Sequence, residues 1–297
     1  MTPVDPPVSD RSLAAPSASD RGHTDPFLVA ASLSGEADAA WARTAASYVD
    51  CAVMGGIALD PASRAAARDL VERGRSEFLP ADPCSWIDSQ CRALADDAVR
   101  PGVNVRSATV DPIREAAEIC ATHDAVCEIN AHCRQPEVCA VGCGETLLAD
   151  PGRLAEYVAA AVESGATTSV KVRAGVSGID LVEVAAEVSN AGAAWIHVDA
   201  MDSEPVVADL SAAVGGGDGP TIVANNGVRG RETVAAYAAH GADAVSVGRP
   251  SDDPRVLSRI AEAVAAWREE RLKRADEQPD ETNANDTVAR RSPGASR

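Results

Sequence analysis

Eight short apolar runs punctuate the chain. They are FLVAAS (Phe27–Ser32), CAVMGGI (Cys51–Ile57), VNVR (Val103–Arg106), AVCEIN (Ala125–Asn130), SVKVR (Ser169–Arg173), WIHVD (Trp195–Asp199), TIVAN (Thr221–Asn225) and AVSV (Ala244–Val247). Each is of strand length and nearly continuous in apolar residues, the pattern of a strand buried on both faces and hence of a parallel sheet. Between them lie stretches with helical spacing. Asp111–Ala121 and Asp150–Ser164 each open on an Asp-Pro capping signal. Asp180–Asn190 and Arg231–Ala239 run into Gly192 and Gly241, residues suited to stop a helix. The phrase that follows is the same three times: GATTSVKV, AGAAWIHV, HGADAVSV. Small residues lead from a helix into a strand, which is β/α alternation.

Eight such units over roughly 245 residues match the size of a (β/α)8 TIM barrel of class α/β. A doubly wound sheet is the second choice, but no GxGxxG follows the first strand. Residues 1–24 and 275–297 lack periodicity and read as disordered polar tails, leaving 25–274 for the barrel. The connection over residues 58–101 is long, with a helix-like piece at Cys84–Cys91.

Composition narrows the setting. Of 297 residues, 27 are basic and 45 acidic, a net charge of −18, and only Lys171 and Lys273 are lysine. Acid excess with scarce lysine suits a halophilic protein kept soluble by hydrated carboxylates. The same charge opposes long-range attraction of a nucleic-acid backbone, although molar salt would screen it. There is no membrane-spanning run and no apolar leader at the N-terminus, so a cytoplasmic protein is expected. Nothing in the sequence indicates an oligomeric state. Eight cysteines in that compartment are expected to be reduced. The spacing of Cys127, Cys133, Cys139 and Cys143 matches no usual metal or iron–sulfur pattern, so no metal is expected and one functional thiol is.

In a barrel the chemistry gathers where strands end. Polar residues collect there: Ser32, Asn104, Asn130, His132, Cys133, Lys171, Arg173, His197, Asp199, Asn225 and Arg249. Lys171 stands out, because VKVR is an apolar strand and a buried ammonium needs a partner. It reads as a cation beside a cofactor or substrate anion, or as a Schiff-base amine; the plainer alternatives are snorkelling or pairing with Glu128 or Asp199. Cys133 suits a general acid or nucleophile, or is one cysteine among eight. His197 either donates to a ligand or satisfies a carboxylate such as Asp199. His132 either tunes the neighbouring thiol or caps the loop. Gly248-Arg249, with Asn225-Asn226-Gly227 on the preceding strand end, forms a candidate phosphate cradle; ordinary turn chemistry is the alternative.

Asn130–Pro151, NAHCRQPEVCAVGCGETLLADP, resembles the signature of the dihydrouridine synthases, N-x-G-C-P followed by G-x-G-x-x-L-L-x-D-P. SLSGEAD, VNVR, VKVRAG, IHVD, IVANNG and GADAVSVGR keep the family's order, so the resemblance spans about residues 26–250. It implies an FMN-dependent barrel that uses NAD(P)H to reduce the C5=C6 bond of uracil in tRNA. Cys133 then corresponds to the general acid for C5. Lys171, His197 and Asn104 correspond to flavin-contacting positions, Asn104 standing where glutamine is usual. Asn225, Gly227, Gly248 and Arg249 correspond to the phosphate segment, and Ser32 joins the cofactor set. Asn130 and Arg173 fall on the substrate side. Departures are His132 and Arg134 around the cysteine, in place of Gly and Pro, and Glu137 at a usually basic position. The family also adds a helical domain after the barrel, where this sequence reads as a polar tail. Two further readings remain open: a flavin enzyme acting on a free pyrimidine, like the dihydroorotate dehydrogenases, and a flavin-free lyase using Lys171 as a Schiff-base amine.

Overall fold

The computed structural model describes residues 25–277. Eight parallel strands close into a barrel in sequence order: β1 (Phe27–Ala30), β2 (Cys51–Ala58), β3 (Arg100–Arg106), β4 (Val126–Asn130), β5 (Thr167–Arg173), β6 (Trp195–Asp199), β7 (Thr221–Asn225) and β8 (Ala244–Val247). β8 pairs with β1 to complete the ring. The TIM barrel anticipated from the alternation is the observed fold, and each apolar run contributes a strand. β1 stops at Ala30, so Ser32 lies in the loop beyond it and is half-buried.

Side-chain alternation divides the strands into two populations. Phe27, Val29, Cys51, Val53, Val126, Trp195, Val223 and Ala244 form one buried cluster, with the Phe27 and Trp195 rings 5.0 Å apart. Their strand neighbours, among them Leu28, Met54, Val105, Ile129, Val172 and Ile222, join the larger cluster shared with the helices. The strands are apolar on both sides because one side fills the barrel and the other seats the helical ring.

The helices are α1 (Ala39–Ala45), α2 (Pro61–Glu72), α3 (Pro83–Ala93), α4 (Asp111–Thr122), α5 (Pro136–Ala140), α6 (Pro151–Glu163), α7 (Leu181–Asn190), α8 (Pro205–Val214), α9 (Arg231–Ala239) and α10 (Pro254–Glu277). Asp38, Asp60, Asp82, Asp150 and Asp180 cap α1, α2, α3, α6 and α7 through side-chain oxygens. A carboxylate there meets free backbone N–H groups and the positive end of the helix dipole, so part of the acid excess builds the fold. Asp111 does not cap: it sits inside the first turn of α4, after Val110. Gly192 and Gly241 follow α7 and α9 at φ 95° and 82°, the left-handed conformation that ends a helix cheaply only at glycine.

The long β2–β3 connection holds two helices, with Glu77 and Phe78 between them. Phe78 bridges to Ile57 and packs against Trp86, with the ring centroids 4.8 Å apart and the planes tilted by 39°. Glu77 forms a buried ion pair with Arg106 at the end of β3. The polar tails expected at 1–24 and beyond residue 277 lie outside the described residues, and α10 itself continues to Glu277. Among the described residues no helix is long and apolar enough to cross a membrane.

Trp195 fills the closed end of the barrel against Phe27. Trp195→Ala is expected to cost about 3–5 kcal/mol of unfolding free energy, read as a lower denaturant midpoint.

Candidate active site

The upper layer of the barrel is polar and hydrogen bonded from strand to strand. Register sets Asn104 on β3 against Glu128 on β4 and Ser169 on β5; one step higher, Asn130, Lys171 and His197 stand side by side. Glu128 is 0% exposed, and a buried carboxylate survives only if donors surround it. Asn104 Nδ2 donates to its Oε1 at 2.8 Å. His197 Nδ1 and Ser169 Oγ donate to its Oε2 at 2.6 and 3.3 Å. Burial alone would raise the carboxyl; His197, the Lys171 ammonium and Asn104 hold it down to about 2.

His197 is 1% exposed. Burial, joined by the Lys171 charge, pushes its imidazole below the usual range despite the pull of Glu128. The neutral ring is committed at both nitrogens, because Nε2 lies 2.7 Å from Ser246 Oγ, which also accepts from Asn225 Nδ2. The carboxylate His197 satisfies is therefore Glu128 and not Asp199, and neither nitrogen is left for a ligand in this arrangement. Asp199 instead accepts from Asn226 Nδ2 at 3.1 Å.

Asn130 carries the network to the loop after β4. Its Nδ2 donates to Asn104 Oδ1 at 2.8 Å, while its Oδ1 accepts the backbone N–H groups of Cys133 (3.0 Å) and His132 (3.3 Å). The Cys133 carbonyl is held from the other side by the Glu145 N–H at 2.9 Å and the Cys139 thiol at 3.5 Å. Gly144 makes this possible: at φ 65°, a Cβ there would lie 2.2 Å from the Cys133 oxygen. Glu145 also pairs with Arg173 of β5 at 2.8 Å. Asn130 and Arg173, expected on the substrate side, thus hold the cysteine loop in place, and Cys133 itself stands half-buried at the barrel mouth.

The other thiols differ. Burial pushes Cys51, Cys91 and Cys143 up to about 12. Cys127 faces the helical layer with Cys91 and Cys120, away from Cys133, Cys139 and Cys143, so the four cysteines singled out by spacing do not converge. Among the described residues no group of three His, Cys, Asp or Glu side chains is arranged to hold a metal.

Lys171 is 4% exposed, and among the described residues its ammonium has no hydrogen bond and no ion pair, with Glu128 or Asp199 or otherwise. Burial and that ammonium push the half-buried His132 imidazole well below its usual range, so it is neutral near pH 7. At the ends of β7 and β8, a Cβ added to Gly227 or Gly248 would meet nothing within 4 Å. Arg249 is exposed beside Gly248, and Tyr237 Oη fixes the β7 loop by donating to the Asn226 carbonyl at 2.7 Å.

The comparisons bear on this assembly. Residues 76–204 match the family model described as Dihydrouridine synthase (Dus). Over that stretch the chain resembles the dihydrouridine synthases. The matched stretch runs from Ser76 through β6 and contains Asn104, Glu128, Asn130, Cys133, Lys171 and His197. An uncharacterized protein, MJ0144, from Methanocaldococcus jannaschii is 30% identical over 151 residues, 50% of this chain and 58% of that protein. The chain therefore spans little more than half the length of that relative. Among solved structures, DHODH from Eimeria tenella in complex with ferulenol is similar at TM-score 0.60 and 14% identity, over 92% of this chain and 88% of that one. A tryptophan synthase complex from Pyrococcus furiosus is similar at TM-score 0.50 and 13% identity, over 82% and 98%. At such identities the likeness establishes the barrel alone.

Ser246 and Glu145 are not found from the sequence, and Glu128 enters there only as a possible partner of Lys171. The signal for Glu128 was present: it is a charge inside an apolar strand, two residues before Asn130 and so on the same face.

The buried imidazoles make stability pH-dependent. Below their ordinary value of 6.5, the unfolded chain binds protons at His132 and His197 that the folded chain refuses, so unfolding free energy falls with pH. Glu128 adds a second loss as pH falls from 4.5 through about 2. Denaturant midpoints at constant salt are expected to drop from pH 7.5 to 5.0, and less steeply in His132→Gln; an unchanged slope would count against the neutral ring.

Proposed function

We propose that the protein is an FMN-dependent oxidoreductase of the dihydrouridine synthase type that reduces the C5=C6 bond of a uracil ring. One observation carries the reading. The Lys171 side chain is buried at the barrel mouth near the Glu128 charge, yet among the described residues its ammonium makes no hydrogen bond or ion pair, so its N–H donors are open to an anion from a ligand. The residues present fit a flavin mononucleotide. Lys171 supplies a cation for the electron-rich pyrimidine end of its ring. Asn225, Gly227, Gly248 and Arg249 offer an open backbone cradle and a guanidinium for its phosphate.

A bound FMN, reduced by NAD(P)H, would supply the hydride for C6 of the uracil. The chain supplies the rest. Cys133 gives its thiol proton to C5, so the double bond gains one hydride and one proton, and the thiolate is reprotonated from solvent. Asn130 and Glu145 hold the Cys133 backbone from opposite sides, fixing the approach of the thiol. Asn104 links Asn130 to Glu128 from the step below, and His197 meets the same carboxylate from the step above.

For the substrate, the motif over Asn130–Pro151 supports uracil within tRNA. The net charge of −18 favours a second reading, a free pyrimidine. A flavin-free lyase using Lys171 draws support from the same orphan ammonium, and it predicts a borohydride-trapped adduct on Lys171.

The first test is the visible absorption spectrum of protein purified at high salt, with the released cofactor identified. FMN is expected. Lys171→Met should weaken FMN binding about tenfold or more, the loss of one charge-assisted contact. A colourless protein that takes up no added FMN overturns the proposal.

A second test uses Cys133→Ala, which should keep FMN yet lose reduction of its substrate. Uridine-containing tRNA and free pyrimidines are assayed side by side for dihydro products. Undiminished turnover in the variant would remove Cys133 from the acid role.

A further inference from the structure

Two chains of hydrogen bonds end on Glu128; the first has a fixed direction, and the second takes its direction from the carboxylate. The first begins at the backbone N–H groups of His132 and Cys133, which can only donate. Asn130 must therefore turn Oδ1 toward them, leaving Nδ2 to donate to Asn104 Oδ1, and Asn104 Nδ2 to donate to Glu128 Oε1. Flipping either carboxamide would set an NH2 group against another donor. The second chain begins at Asn225, passes through Ser246 to His197 Nε2, and reaches Glu128 Oε2 from Nδ1. A carboxylate accepts on both oxygens and donates from neither, so it receives the Asn104 amide and the Nδ1–H of His197 together.

We infer that Glu128 is a positioning residue: as the acceptor on which both chains converge, it fixes His197 as the Nδ1–H tautomer and locks the carboxamide of Asn130 that holds Cys133. A further consequence rests on the flavin reading above. The negative charge of Glu128 balances Lys171, one step higher in the barrel, while its lone pairs go to Asn104, His197 and Ser169, so the ammonium's own donors stay free for the ligand.

Glutamine in place of Glu128 brings one N–H2 group to this junction, and one chain must reverse. The Asn104 side cannot, because it is anchored on backbone amides. The reversal falls on His197, which becomes the Nε2–H tautomer donating to Ser246 Oγ, a hydroxyl able to turn.

The experiment is a long-range 1H–15N correlation spectrum of the full chain labelled with 15N, near neutral pH. The His197 ring signals are identified by their loss in His197→Gln. Wild type is expected to show a protonated Nδ1 and a lone-pair Nε2. Glu128→Gln should exchange the two shifts, and Ser246→Ala should leave them as in wild type. A wild-type Nε2–H ring, an unchanged tautomer in Glu128→Gln, or an exchange in Ser246→Ala each overturns the inference. If Glu128→Gln does not fold, the wild-type and Ser246→Ala spectra decide. With FMN bound, Glu128→Gln should shift the flavin potential positive, since Lys171 is left unbalanced beside it; an unchanged potential overturns the charge-balancing role. A wild type that binds no FMN fails the flavin reading, and the tautomer result still decides this one.

Discussion

A carboxylate sealed inside a closed barrel is the constraint around which the upper half of this molecule is arranged. Taking an unpaired charge out of water costs far more than a domain's whole stability margin. Glu128 therefore requires donors from β3, β5 and β6, and each donor requires a partner of its own. The demand spreads outward until it meets groups with no freedom: two backbone amides in the cysteine loop on one side, and the β7 strand end on the other. Below this layer the barrel is filled by Phe27, Trp195 and valines, which need only shape. The division into a mainly apolar lower layer and an upper one rich in hydrogen bonds concentrates buried polarity at the end where the strands stop.

Much of this was legible in the chain and some was not. The strands could be read because burial on both faces leaves a run with almost no polar interruption, and the glycines after α7 and α9 mark helix ends by backbone conformation alone. Lys171 could be noticed because an ammonium in VKVR contradicts its surroundings. Whether it pairs was not legible: Glu128 and Asp199 lie at compatible register, and only the geometry assigns one to His197 and Asn104 and the other to Asn226. Glu145 could not be found from spacing. Its role depends on a main-chain N–H meeting the Cys133 carbonyl across a turn that exists because Gly144 adopts a positive φ. The Glu77–Arg106 pair is hidden for a related reason, since a residue in a long connection reveals its partner only once that connection has folded back.

The acidity of the chain looks different once the helices are placed. Five of its aspartates cap helix N-termini, where a carboxylate is favourable in any solvent. Others hold the framework from within: Asp50 accepts the Leu28 N–H and meets Arg268 of α10 at 2.6 Å, tying the last helix to the first strand. A net charge of −18 thus combines structural carboxylates with those that hydrate the surface, and the formal count overstates how much of it is a response to salt.

The bridge formed by Glu145 has a mechanical meaning. Its main-chain nitrogen grips the cysteine loop while its carboxylate grips Arg173, two residues along the strand from Lys171. The loop that carries Cys133 and the strand that carries Lys171 are thereby fastened to one rigid beam, and a displacement of either is transmitted to the other. Tolerance for change in this molecule should accordingly be low at Glu145 and Arg173, the two side chains that make the beam.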